Sequence, residues 1–233
     1  MRFQRKKMTE QLEAKIGISF KNKNLLLTAL THRSYLNENP DWKYDHNERM
    51  DFLGDAVLEL VVTEYLYGHY PNPEGEMTNW RAALVNSVML AKVATKFDLN
   101  DFLLLSRGEA KDTGRARQYI LANAVESVIG ALYLDQGYGA AKVFIEKFIL
   151  DELPDILAGK TYRDAKSKLQ EEAQERVGVT PTYTVMEEWG PDHAKQFRIG
   201  VYLDKDLVGE GSGPSKQDAQ QSAAEDGLAK KGW

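Results

Sequence analysis

NERMDFLGDAVLEL, residues 47–60, contains no proline and one glycine, and its apolar residues recur at helical spacing. At ~100° per residue, the carboxylates of Glu48, Asp51, Asp55 and Glu59 fall within an arc of roughly 80°, so the stretch predicts a helix with an acidic stripe. Met50, Leu53, Val57, Leu60 and Val61 are expected to form its core face. Phe52 and Ala56 on one side, and Leu58 and Val62 on the other, border the acids as an apolar groove. An exposed acidic face is one reading. Against it, Asp51 faces Asp55 and Asp55 faces Glu59, like-charge i,i+4 pairs that destabilise an isolated helix. Crowded carboxylates share protons or take up a cation, and an all-oxygen stripe points to a hard divalent metal.

Such a metal needs further ligands from elsewhere. YILANAVESVIGALYLD, residues 119–135, is apolar almost all round and rich in small residues (Ala122, Ala124, Ser127, Gly130, Ala131), which predicts a buried helix packed closely on another. Asn123 and Glu126 lie one turn apart on one face of it. Glu126 is expected to join Asp51 and Asp55 at the metal, with Asn123 as a neutral oxygen ligand or as a partner of metal-bound water. A structural salt bridge is the alternative for Glu126.

Outward from these helices, nearly every segment from Thr9 to about Leu157 reads as helix, punctuated at NENPDW, HYPNPEGE, SRGEAKDTGRAR and DQGYG. After PDILAGKTY the pattern changes. DAKSKLQEEAQERVG reads as a helix, PTYTVMEEW, KQFRIGVYL and LVGEGSG as strands, and SKQDAQQSAAEDGLAKKG as a last helix. The expected organisation is an all-α domain over 1–157, a linker over 158–163, and a small α+β domain of α-β-β-β-α order over 164–233.

With 233 residues the chain has room for two ordinary domains. It has no cysteine, which excludes disulfides, thiolate metal sites and cysteine nucleophiles. The basic start MRFQRKK is followed by no apolar leader segment, and no run approaches the ~20 apolar residues of a membrane span. A soluble, cytoplasmic protein is expected, with no membrane partner. The histidines, His32, His46, His69 and His193, form no ligand cluster and no acid–base pair in the sequence. The net charge of −5 argues mildly against a polyanionic partner.

The acidic stretch, the later ILANAVESVIGALYLD and the α-β-β-β-α tail together resemble bacterial ribonuclease III. ERMDFLGDA is similar to the family signature, and ALTHRSY at 29–35 and PEGEMTNWRAALVNS at 73–87 fit the same order. The resemblance implies a homodimeric endonuclease that cleaves both strands of double-stranded RNA at one Mg²⁺-dependent centre per subunit, with Mn²⁺ as the substitute metal. It is of the rRNA- and mRNA-processing type, leaving 5′ phosphates, 3′ hydroxyls and short 3′ overhangs. By position the resemblance makes Asp55 and Glu126 catalytic and Asp51, Asn123 and Glu126 metal-holding. Glu48 is supporting, Glu59 has no role, and Phe52 is a knob that enters a socket on the partner subunit. Asn123 departs from the family's aspartate at this position. An amide oxygen can ligate or orient water, but it removes one charge and cannot act as a base. The alternative is therefore a double-stranded RNA-binding protein whose cleavage is weakened or lost.

The tail resembles a double-stranded RNA-binding domain, which reads the shape of the A-form duplex. By position its contacts are Ser167, Gln170, Glu171 and Gln174 on the first helix, His193 in the loop WGPDHAK, and Ser215, Lys216 and Gln217 at the start of the last helix. From Arg163 to Lys231 it carries 10 Lys+Arg against 13 Asp+Glu, so weak binding with a shallow salt dependence is expected of the tail alone. In the first domain, Arg107, Arg115 and Arg117 are candidate RNA contacts, an exposed loop being the alternative. A helical nucleotide pyrophosphatase, which also uses helix-borne acids, has no use for the tail.

Overall fold

In the computed structural model, which describes residues 2–159, 165–191 and 195–233, the chain divides into two units, Met1–Tyr162 and Arg163–Trp233. The first is helical: α1 (Arg2–Ile16), α2 (Lys23–Ala29), α3 (Arg33–Glu38), α4 (Glu48–His69), α5 (Glu74–Val85), α6 (Ser87–Thr95), α7 (Arg115–Gln136), α8 (Tyr138–Phe148) and α9 (Leu153–Gly159), with short 3₁₀ turns between. The expected linker positions 160–163 lie outside the described residues, and so does His193. No described helix is long and apolar enough to cross a membrane.

Helix α7 is the centre of this unit, packed by α4, α6, α8 and α2. Its run from Ser127 to Leu132 is wholly buried, because small and aliphatic residues occupy every face there. It stops at Gly137, whose φ of +82° only glycine adopts without strain and whose N–H donates to the Tyr133 carbonyl at 2.8 Å. Helix α4 buries Met50, Gly54, Val57, Leu58, Val61, Val62 and Leu66. Two sequence expectations fail here. Leu60, expected in the core, is 58% exposed, whereas Leu58 and Val62, expected to border a groove, are fully buried. At ~100° per residue the buried arc is centred between Val61 and Leu58, which turns Leu60 outward with Ala56 and Tyr67.

The loop carrying ALTHRSY is pinned beside the start of α4. The Asn47 N–H donates to the Thr31 carbonyl at 2.9 Å, the His32 N–H donates to the Leu104 carbonyl at 3.0 Å, and His32 Nδ1 caps α3 at the Ser34 N–H. This histidine is thus a helix cap, and burial lowers its pKa.

In the 3₁₀ turn just before α9 Glu152 is buried, yet its carboxylate receives Lys92 Nζ at 2.5 Å and Lys96 Nζ at 2.7 Å. Burial raises its pKa, but the two ammonium groups outweigh that and hold it below the ordinary carboxylate value. Its stabilising effect is therefore present above the unfolded value of about 4.5 and is lost as pH falls through the lower folded value. Glu152→Gln is expected to cost about 1–2 kcal/mol at neutral pH, less than a fully buried pair because Lys92 is half exposed. Urea unfolding at pH 7 and pH 4 checks this; the gap between variant and parent should shrink at pH 4.

The second unit is α10 (Ala165–Val177), β1 (Thr182–Trp189), β2 (Gln196–Leu203), β3 (Asp206–Gly213) and α11 (Lys216–Lys231). Its antiparallel sheet has the order β1-β2-β3, and the expected α-β-β-β-α order holds. Both helices cover one face, over a core of Leu169, Ala173, Ile199, Val201, Leu203, Val208, Ala219, Ala223 and Leu228. The alternating glycines of GEGSG explain how close α11 lies: a Cβ on Gly211 would stand 2.1 Å from the Ala223 nitrogen.

Candidate active site

The acids are brought together by a backbone contact. Glycine inside a helix costs about 1 kcal/mol relative to alanine, so Gly54 in α4 and Gly130 in α7 need a packing reason. A Cβ on Gly54 would stand 1.7 Å from the Glu126 carbonyl oxygen, and one on Gly130 would stand 2.3 Å from the Met50 carbonyl oxygen. The two helices therefore cross with their main chains touching. Asp51 lies one turn before Gly54 and Glu126 one turn before Gly130, so the crossing sets these carboxyl groups side by side, and they hydrogen-bond to each other. The signal for this contact is present in the sequence as a glycine inside each helix, Gly54 in α4 and Gly130 in α7, at positions where alanine would favour the helix more.

This pair is electrostatically strained. Burial, the hydrogen bond with Asp51, and the charges of Asp51 and Asp55 push Glu126 up to about 9. Burial also raises Asp51; the hydrogen bond to Glu126 opposes this, while Asp55 and Glu48 add to it. At neutral pH the two carboxyl groups therefore hold one proton between them. Asp51 Oδ1 is buried without a hydrogen-bond partner. Among the described residues, no three acidic or imidazole side chains already converge in ion-binding geometry. The donor set nonetheless suits a hard divalent cation: it is all oxygen, one buried carboxylate oxygen is orphaned, and a proton occupies the place a second positive charge could take.

The other sequence candidates divide. Asp55 is exposed at the rim of the pair and Asn123 is exposed one turn before Glu126. Glu48 is also exposed; it pairs with Arg33 Nη1 at 3.3 Å and lies 3.7 Å from His46 Nδ1, so its basic neighbours come from α3 and from the loop before α4. Glu59 faces solvent. Phe52 is 81% exposed, which rules out a place in its own domain's core. Of the arginines, Arg107 and Arg115 are exposed, but Arg117 is a strut: its guanidinium donates to the carbonyls of Asp112 at 3.1 Å and Glu109 at 2.7 Å.

In the second unit, Gln170, Glu171 and Gln174 are exposed along α10, with Ser167 half-buried beside them, and the four line one shallow groove. Ser215 is committed to capping α11, accepting from the Asp218 N–H at 3.1 Å and donating to the Asp218 carboxylate at 2.6 Å. Lys216 stands 5.5 Å over the Phe197 ring and pairs with Glu188 at 3.3 Å. Gln217 is exposed. Arg198 is likewise held by Glu210 at 2.6 Å, so part of the tail's positive charge is already neutralised internally.

Known proteins place this arrangement. Residues 22–153 match the family model described as Ribonuclease-III-like, and residues 165–231 match the double-stranded RNA binding motif. Curated relatives named Ribonuclease 3 include one from Desulforamulus reducens, 44% identical over 93% of this chain and 88% of that protein. Another, from Campylobacter jejuni, is 42% identical over 97% of this chain and 99% of that protein. The solved nuclease domain of the Campylobacter jejuni enzyme superposes with a TM-score of 0.56 at 42% identity, covering 62% of this chain and 95% of that one. A second structure of that domain, described as showing flexibility in the region involved in dimer formation, also has a TM-score of 0.56, over 98% of its length. The crossing of α4 and α7, with its facing carboxyl groups, therefore lies in the nuclease domain of a chain that belongs to the ribonuclease III family, an endonuclease followed by a double-stranded RNA-binding motif.

Proposed function

We propose that the protein hydrolyses phosphodiester bonds of double-stranded RNA in a Mg²⁺-dependent reaction, with Mn²⁺ able to substitute. It acts as a cytoplasmic homodimer of the rRNA- and mRNA-processing type, leaving 5′ phosphates, 3′ hydroxyls and short 3′ overhangs. The observation that carries this reading is the meeting of Asp51 and Glu126 at the close crossing of α4 and α7, where Asp51 Oδ1 is buried without a hydrogen-bond partner and leaves a place for a cation. Asp51, Glu126 and the amide oxygen of Asn123 are the groups that would hold it. When bound, the ion supplies charge neutralisation at the phosphoryl oxygens and acidifies water. Asp55, exposed beside the pair, accepts a hydrogen bond from the attacking water and orients it toward phosphorus. Glu126 holds its place through Asp51, and Glu48, tied to Arg33 and His46, fixes the start of α4. Asn123 can orient water but cannot take its proton.

Incubating a long RNA duplex with Mg²⁺, with Ca²⁺ and with chelator, then sizing the products and identifying their ends, tests the reading. Short duplexes formed only with Mg²⁺, bearing 5′ phosphates, support it. Binding without cleavage favours the alternative that Asn123 has weakened or removed catalysis.

The dimer reading rests on Phe52. A ring that is 81% exposed contributes little to its own domain and gains about 1.5–3 kcal/mol when a partner buries it. Phe52→Ala is expected to leave the thermal midpoint of dilute protein unchanged and to weaken self-association at least about tenfold by analytical ultracentrifugation. Unchanged association would remove Phe52 from the interface.

A further inference from the structure

Helix α7 has one exposed edge, and it leads into the acid pair. Arg115, Tyr119 and Asn123 are exposed along it, and Glu126, next on the same edge, is half-buried against α4. At ~100° per residue these four positions lie within roughly 80°. Tyr119 is 47% exposed, and the Arg115 guanidinium lies 6.0 Å from the centroid of its ring. Held over the ring at the outer limit of a cation–π contact, the guanidinium limits the freedom of both side chains, which lowers the entropy either would lose on meeting a ligand. Neither is committed elsewhere as Arg117 is: no carboxylate among the described residues ion-pairs with Arg115.

This edge meets a need that the acids create. Asp51, Asp55 and Glu126 repel a phosphate backbone, and on the exposed edge of α7 the compensating cation is Arg115. The phenol of Tyr119 is both donor and acceptor, as is the ribose 2′-hydroxyl, which A-form RNA displays in its wide, shallow minor groove. At ~1.5 Å rise per residue, Tyr119 and Arg115 stand about 10 and 16 Å from Glu126 along the helix, a span of a few nucleotides.

We propose that Tyr119 and Arg115 form a strand-binding step beside the cleavage centre, Tyr119 engaging a ribose 2′-hydroxyl and Arg115 an adjacent phosphate. The inference rests on the proposed function only for the position of the scissile bond; the contact itself is a statement about RNA binding.

The full chain is titrated with an RNA duplex in chelator, so that no cleavage competes and binding is read without the metal site. A single 2′-deoxy nucleotide is walked along one strand to find the position that weakens the parent protein. Tyr119→Phe, which keeps the ring and its packing, is expected to weaken binding two- to tenfold, the value of one hydrogen bond. It is also expected to be indifferent to the deoxy substitution that the parent feels. Arg115→Ala is expected to lower the slope of log affinity against log salt by about 0.7–0.9, one phosphate contact. With Mg²⁺, Tyr119→Phe should raise KM and leave kcat within about twofold, the pattern of lost uniform binding. Parent-like affinity, salt slope and deoxy sensitivity in both variants overturn the inference. Failure of the unaltered chain to cleave with Mg²⁺ overturns the proposed reaction instead and leaves the binding measurements readable.

Discussion

Glu126→Gln is expected to abolish cleavage while making the metal-free protein more stable. Loss of a ligand at the centre of charge stabilisation should lower kcat on the order of a thousandfold or more, while duplex affinity stays within about twofold because the surfaces that touch RNA are unaltered. The stability gain follows from the sign of the pKa shift. Glu126 is raised from 4.5 to about 9 by burial and by the neighbouring carboxylates, so the fold favours its protonated form. As pH climbs from about 4.5 toward about 9 the unfolded chain releases that proton and the folded chain does not, and stability falls across this window. Valued at ~1.4 kcal/mol per tenfold change, and discounted by about two thirds because two carboxyl groups share the proton, the strain is about 2 kcal/mol. Glutamine keeps the shape, can donate an N–H to Asp51 and carries no titratable group. In chelator at pH 8 its thermal midpoint should exceed the parent's by about 4–8 °C, and the excess should vanish near pH 4.5. Normal cleavage by this variant would remove Glu126 from the centre, and an equal midpoint at both pH values would remove the strain.

Much of this centre was legible in the sequence because its cause is local. Like charges repeated at i,i+4 destabilise a helix, and that pattern marks Asp51, Asp55 and Glu59 alike; the resemblance, not the pattern, sets Glu59 aside. The small residues of α7 likewise announced close packing. Other features depend on tertiary contacts and were not legible. Which side of α4 is buried depends on where α7 crosses, so Leu60 and Leu58 exchanged their expected places. The proton shared by Asp51 and Glu126 arises between residues 75 positions apart, and no local pattern encodes it. The commitment of Arg117 to the carbonyls of Asp112 and Glu109 depends on the path of a loop, whereas in the sequence it was equivalent to Arg107 and Arg115 as a candidate for RNA. In the tail, the lysines and arginines count as free charge when summed from composition, but Lys216 and Arg198 are paired with Glu188 and Glu210. The alternating glycines of β3 fit a strand in the sequence, and only the position of α11 shows why side chains are absent there.

Gly130→Ala is expected to damage the centre from beneath, without altering any acid. The added Cβ would stand 2.3 Å from the Met50 carbonyl oxygen and 3.2 Å from the Gly54 nitrogen, both main-chain atoms that cannot swing aside. Relief requires α4 and α7 to separate by about 1 Å; Gly54→Ala, at 1.7 Å from the Glu126 carbonyl oxygen, requires more. Overpacking of this kind should cost about 3 kcal/mol and lower the thermal midpoint by roughly 10 °C. Because the same separation draws Asp51 away from Glu126, activity should fall about a hundredfold even at temperatures where the variant remains folded, the scale of a 1 Å misplacement. The hydrogen bond and repulsion that raise Glu126 should relax with it, so the stability of Gly130→Ala in chelator should depend less on pH between about 4.5 and 9 than the parent's. Gly68→Ala is the control: it lies in α4, the helix that Gly130 meets, nothing stands within 4 Å of its added Cβ, and alanine there should stabilise by about 0.5–1 kcal/mol through helix propensity. If Gly130→Ala behaves like Gly68→Ala, the close crossing does not position the acids; if it loses activity and pH dependence together, the glycine contact is what holds the two carboxyl groups at the distance where they share a proton.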